Sequence, residues 1–109
     1  SYTLKGNYNK AIKCFQKAIN INPDDAKAYN NMGIACSKKG NYDKSIECFQ
    51  KAININPDYA DAYFGMGISY GGKGGLYDKA IECFHKAARL GHKRAQGILS
   101  KLRKLGMIW

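Results

Sequence analysis

"NYNKAIKCFQKAININPDD" occupies Asn7–Asp25, and "NYDKSIECFQKAININPDY" occupies Asn41–Tyr59, thirty-four residues later. The two differ only at Asn9/Asp43, Ala11/Ser45, Lys13/Glu47 and Asp25/Tyr59. A looser third copy, "LYDKAIECFHKAARLG", begins at Leu76. Self-similarity at such a period marks a chain built from one supersecondary unit, and the period takes precedence over any single motif.

Helical spacing runs through each unit. Between Ala26 and Lys39, the residues Ala28, Tyr29, Met32, Ala35 and Cys36 recur at three- and four-residue steps, the apolar stripe of a helix. Asp24 and Asp25 are N-cap candidates in front of it, and Gly40 with Asn41 stops it. A second helix is predicted from Tyr42 to Ile55 with Ser45, Ile46, Phe49, Ala52 and Ile53 on one face, ended by Pro57. Asp58 restarts the pattern: Ala62, Tyr63, Met66 and Tyr70 mark the next first helix, and Tyr77, Ala80, Ile81, Phe84 and Ala87 the next second helix. Neither helix hides its stripe alone, and stacking units buries it. Gly33 and Gly67 recur inside first helices, where glycine costs ~1 kcal/mol relative to alanine, so they mark close helix crossings.

Composition bounds the function. At 109 residues the chain is one compact domain or one short array, with no apolar leader and no run long enough to span a membrane. Net charge is +10, of which Lys93, Arg94, Lys101, Arg103 and Lys104 supply half. A basic end helix attracts nucleic acid, anionic surfaces or acidic protein, or is simply solvated. Cys14, Cys48 and Cys83 are one repeat position copied three times, and Cys36 lies in a different helix. Copies on stacked helices stand at least ~8–10 Å apart, beyond the ~7 Å Cα limit for a disulfide. Reduced thiols fit a cytoplasmic location. No clustered Cys/His spacing suggests a metal site, and no cofactor is expected.

Tyr29–Met32–Gly33 followed by Ser45, Phe49, Ala52 and Pro57 resembles the signature of the tetratricopeptide repeat. Tyr63–Met66–Gly67–Tyr70 followed by Ala80, Phe84 and Ala87 resembles it again. The resemblance implies an all-α, right-handed solenoid of antiparallel helix pairs whose first helices line the concave side. On that reading residues 1–25 are a partial repeat 1, 26–59 repeat 2, 60–92 repeat 3, and 93–109 a C-terminal capping helix and tail. Repeat 3 carries one extra residue in "GKGGLYDK" against "KKGNYDK", which predicts an irregular turn. His92 is read as standing where Pro23 and Pro57 stand, before a shortened linker. Ala95, Leu99 and Leu102 are then expected to face inward from the terminal helix.

Function is expected in the concave groove. Lys27, Asn30, Asn31, Ile34 and Lys38 form a second stripe on the first helix of repeat 2, and Asp61, Phe64, Gly65, Ile68 and Gly72 are their equivalents in repeat 3. Ile34, Phe64 and Ile68 are apolar although they point away from the pairing stripe, which fits either a partner-binding surface or contacts between stacked first helices. "AYNNMG" resembles the stretch in which the repeats of O-linked N-acetylglucosamine transferase present a groove asparagine, and an amide both donates and accepts toward a peptide backbone. The co-chaperone relatives clamp a carboxylate with Lys, Asn and Arg. Lys27 and Asn31 supply part of that set, but Asp61 and Gly65 replace the rest, so that specificity is not expected.

The "GGKGG" at Gly71–Gly75 lacks phosphate-loop spacing, and His85 and His92 have no nucleophile or carboxylate partner in sequence. The expected role is a non-enzymatic protein–protein interaction scaffold that binds a peptide or helix of a partner. The alternative is RNA or anionic-surface binding through the basic terminal helix, with nucleic acid the less expected partner. Ile12 and Phe15 match Ile46 and Phe49 but have only Tyr2 and Leu4 to cover them, which predicts self-association through the N-terminal half-repeat.

Overall fold

The computed structural model describes residues 2–108, with side chains from residue 7 onward. Six α-helices follow one another among the described residues: α1 (Tyr2–Ile21), α2 (Ala26–Lys39), α3 (Tyr42–Ile55), α4 (Ala60–Lys73), α5 (Tyr77–Arg89) and α6 (Lys93–Lys104). Each packs on the next, and α2 also meets α4. Short connections force antiparallel neighbours, so the helices stack as an elongated solenoid of 44 × 32 × 21 Å.

Local chemistry sets most boundaries. The Asp25 carboxylate accepts from the Ala28 amide at 3.0 Å and starts α2. Gly40 ends that helix in the left-handed region at φ 91°, where its amide donates to Cys36 and Ser37 carbonyls. Asn41 then caps α3 through the Lys44 amide. The extra residue of repeat 3 is absorbed by Gly74 and Gly75, both at positive φ, and α5 begins behind Leu76 with no side-chain cap. Gly71 and Gly72 remain inside α4 rather than in the turn.

One sequence reading needs correction. His92 does not stand at the proline positions. It is the N-cap of α6, equivalent to Asp25 and Tyr59, the N-caps of α2 and α4. Its Nδ1 accepts from the Ala95 amide at 3.2 Å, so a ring nitrogen replaces the carboxylate of Asp25. Cys36 of α2 packs beside Cys48 of α3 in one buried cluster. Burial, followed by the neighbouring Cys36, pushes the Cys48 thiol up to about 11, and burial with Glu82 does the same for Cys83. All four cysteines are free.

Burial confirms the register of the first-type helices. Ala28, Ala62 and Ala95 are buried, as are Met32, Met66 and Leu99 four residues on, while Leu102 is half-buried. The central core joins Phe49, Ala52 and Ile53 of α3 to Ala62 and Met66 of α4 and Cys83 of α5. Phe49 reaches through to the first helices. Its ring lies so close to Gly33 and Gly65 that a Cβ there would stand 2.8 and 2.4 Å from it. Phe84 repeats the contact on Gly67 at 2.7 Å. The recurring glycines are therefore sockets for the phenylalanine of the following second helix. Buried hydroxyls add a polar link: Ser45 Oγ lies 2.7 Å from Ser69 Oγ, which donates to the Gly65 carbonyl at 3.0 Å. Pairing satisfies groups that would otherwise be desolvated at a cost.

At the N-terminal end α1 continues unbroken through Gly6 and Asn7, although the same Gly–Asn pair makes the turn at Gly40 and Asn41. The cover expected from Tyr2 and Leu4 falls outside the residues whose side chains are described. Ile12 and Phe15 are half-buried, packed against the cluster of Ile19, Met32, Cys36 and Cys48. No described helix is long and apolar enough to cross a membrane.

Candidate functional site

A depression of about 490 Å³ lies along α2 and α4 and is closed at one side by the start of α6. Lys27, Asn31, Ile34 and Lys38 come from α2, and Asp61, Phe64, Gly65 and Ile68 from α4. All eight residues anticipated as groove-lining, Asn30 included, border this one cavity. They reach it in different ways.

Ile34 and Ile68 stand open, 39% and 42% exposed, at equivalent positions on neighbouring helices. They form an apolar pair that the fold leaves uncovered. Phe64 is only 7% exposed and forms the floor. Its ring stacks on His92 at 4.2 Å between centroids and tilts against Phe84 at 5.7 Å. The Arg94 guanidinium lies 5.4 Å from the same ring centroid, a cation–π contact. Phe49, beneath Gly65, completes the floor. The asparagine of repeat 2 has no counterpart at Gly65 because any side chain there would collide with that ring.

Asn30 is buried, 4% exposed, beside Tyr59. Burial and then the nearby Asp61 hold the Tyr59 phenol above its ordinary range. The Asn30 Oδ1 is buried and has no donor among the described residues. An unpaired buried acceptor costs about 1–3 kcal/mol. Asn31, one residue on, is half-buried and holds the amide side chain nearer solvent.

The charges are asymmetric. Lys27, Lys38 and Arg94 border the cavity, and Asp61 is its acidic residue. Asp61 is engaged: His92 Nε2 stands 3.2 Å from its Oδ1. Because Nδ1 accepts from Ala95, the neutral imidazole carries its proton on Nε2 and donates to Asp61. The cations thus set the polarity of the groove. By contrast, the depression bordered by Met66, Tyr63, Tyr70 and Cys83 has its lysines occupied: Lys86 lies over Tyr63 and Lys79 over Tyr70.

Sequence reasoning missed His92, Arg94, Ser37, Phe49 and Tyr59 as lining residues. The signal for the first two was present. Aligning the chain on Ala28, Ala62 and Ala95 instead of on the prolines places Arg94 opposite Lys27 and Asp61.

Family models match three overlapping stretches: a tetratricopeptide repeat at residues 26–59, a TPR repeat at 1–40, and a tetratricopeptide repeat at 48–82. A crystal structure of MamA is similar at 38% identity and a TM-score of 0.73, covering 83% of this chain and 52% of that one. This chain therefore spans about half the length of that relative. The second TPR domain of human RPAP3, solved in complex with the HSP70 peptide SGPTIEEVD, is 27% identical with a TM-score of 0.80, covering 90% and 82% of the two chains. The first TPR of Spaghetti (RPAP3), bound to the HSP90 peptide SRMEEVD, shares the fold at a TM-score of 0.82 and 21% identity, covering 95% and 83%. None of the curated proteins matches in sequence.

Proposed function

From the premise that this chain belongs to the tetratricopeptide repeat family, we propose that it is a non-enzymatic protein-interaction scaffold that holds a segment of a partner in the groove between α2 and α4. The observation that carries this reading is the exposed pair Ile34 and Ile68, set above a floor of buried rings and beside the half-buried Asn31 amide. Apolar groups flanked by amides and charges give a ligand both burial and orientation. The peptide complex of the human RPAP3 domain supports a short segment as the kind of ligand. A cytoplasmic location and self-association through Ile12 and Phe15 belong to the same proposal.

The test is affinity capture with the intact chain against a variant carrying Asn31→Ala and Ile34→Asp. Asn31 is half-buried and Ile34 is exposed, so the variant should fold and melt like the parent. Its captured partner should be lost. Capture that survives both changes, or a chain that retains only RNA through its basic end, would move the function away from the groove.

A further inference from the structure

Tyr42 and Tyr77 hold one repeat position and meet different fates. Tyr42 is half-buried, its ring lying against Gly72 of α4, 2.7 Å from where a Cβ would stand. Tyr77 is 68% exposed. Counting from the buried Ala62 and Ala95, the residue of α6 that answers to Gly72 is Leu105. A leucine offers no socket for a tyrosine ring, so both side chains are left in water, and Leu105 is 67% exposed. Helix α6 packs on α5 in the opposite direction, with Gln96 Nε2 donating to the Ala88 carbonyl near their connection. The far end of α6 therefore lies toward the start of α5, where Tyr77 stands.

A third apolar side chain is fixed at the same end. Gly106, at φ 72°, donates to the Arg103 carbonyl at 3.0 Å, and the Met107 amide donates to the Leu102 carbonyl at 2.9 Å. This pair of bonds closes a helix with glycine in the left-handed region, and it sets the backbone that carries Met107, which is 66% exposed. Cations flank the apolar tip: Lys101 and Lys104 are exposed on the last turn of α6. No Asp or Glu occurs from Cys83 to Trp109, and Asp78 on the first turn of α5 is the acid at this end. None of Tyr77, Lys101, Leu105 and Met107 borders the groove or the depression beside Tyr70.

We propose that this end of the molecule docks on anionic lipid bilayers, as a second surface separate from the groove. Leu105, Met107 and Tyr77 enter the boundary between headgroups and acyl chains, and Lys101 and Lys104 meet the anionic headgroups. Open apolar tips beside cations suit a flat, deformable, negatively charged surface, whereas a short ligand needs a cleft to orient it. A tyrosine is at home at that boundary, with its ring in the apolar layer and its hydroxyl in water. Nucleic acid would call on stacked aromatic platforms, and the open groups here are mainly aliphatic. Attachment is peripheral, since no described helix is long and apolar enough to cross a membrane. Arg94, at the groove, and Leu105 are separated by ~16 Å along the helix at about 1.5 Å per residue, so the groove is left open to a partner.

The test is co-sedimentation of the intact chain with vesicles of phosphatidylcholine alone and of phosphatidylcholine with phosphatidylserine in equal parts. Binding to the phosphatidylserine vesicles should be at least about tenfold stronger. Lys101→Gln with Lys104→Gln should weaken it about tenfold or more, and Leu105→Ser with Met107→Ser about fivefold or more. All four positions are exposed, so both variants should melt like the parent. Asn31→Ala with Ile34→Asp should bind the vesicles as the parent does, which separates this surface from the groove. Equal binding to both vesicle types would overturn the proposal, as would full binding by the Leu105/Met107 variant. Loss of vesicle binding in the groove variant would move the contact to the groove and overturn it too. Binding to single-stranded RNA with none to either vesicle would replace the bilayer with nucleic acid.

Discussion

Helices α1 and α3 carry almost the same words and live in different surroundings. From Asn7 to Ile21 and from Asn41 to Ile55 the sequences differ at three positions, Asn9/Asp43, Ala11/Ser45 and Lys13/Glu47. Yet Phe49 is fully buried where Phe15 is half-buried, and Cys48 is buried where Cys14 is exposed. Ile19 and Ile53 share one burial, 6%. The difference comes from neighbours: α3 packs on both α2 and α4, whereas among the described residues α1 packs chiefly on α2. A repeat sequence encodes a face, and the position in the stack decides how much of that face is covered.

Thiol labelling gives the widest separation between the two copies. Cys14 should react at once with a water-soluble maleimide. Cys48 is covered and its thiol is held protonated by burial. It should label only through opening of the structure, at least about a thousandfold more slowly for a domain of ordinary stability. Mass spectrometry of labelled peptides reads both sites in one sample. Comparable rates would mean that α2 and α4 do not hold α3 as described.

Truncation of the two phenylalanines comes next. Phe49→Ala should cost about 3–5 kcal/mol in urea unfolding, since it empties a fully buried site against Gly33 and Gly65. Phe15→Ala should cost ~1–2 kcal/mol, in proportion to its partial burial. A loss at Phe15 as large as that at Phe49 would point to a cover over α1 in solution. Sedimentation across a wide concentration range then identifies self-association, which Phe15→Glu should abolish.

The smallest effect separates the copies by sign. Asn41 caps α3 through the Lys44 amide, so Asn41→Ala should destabilise by about 1 kcal/mol. Asn7 is exposed inside α1, so Asn7→Ala should stabilise by a few tenths, roughly 0.5 kcal/mol, through helix propensity. Thermal unfolding of the two single variants resolves this. A destabilising Asn7→Ala would show that the Gly6–Asn7 turn forms in solution as it does at Gly40–Asn41.

Much of the groove was legible before any coordinates. Ile34 and Ile68 stand out because an apolar residue on the wrong side of an amphipathic helix has no core to enter. Phe64 looked the same in sequence and turned out to be floor, because His92 and Arg94 arrive from another helix to cover it. Gly65 read as a missing asparagine, and its cause is the Phe49 ring sixteen residues away in another helix. His92 was misread because the proline register dominates the eye, whereas the buried alanines keep the true count.

The sequence alone determined the period, the helices and the core positions, because each follows from spacing, caps and breakers within a few turns of chain. Tertiary structure decided which copy of a repeated face is buried, why glycine sits opposite each phenylalanine, and that Cys36 meets Cys48. These depend on which helices end up adjacent, and a local code written nearly identically in α1 and α3 carries no record of its neighbours.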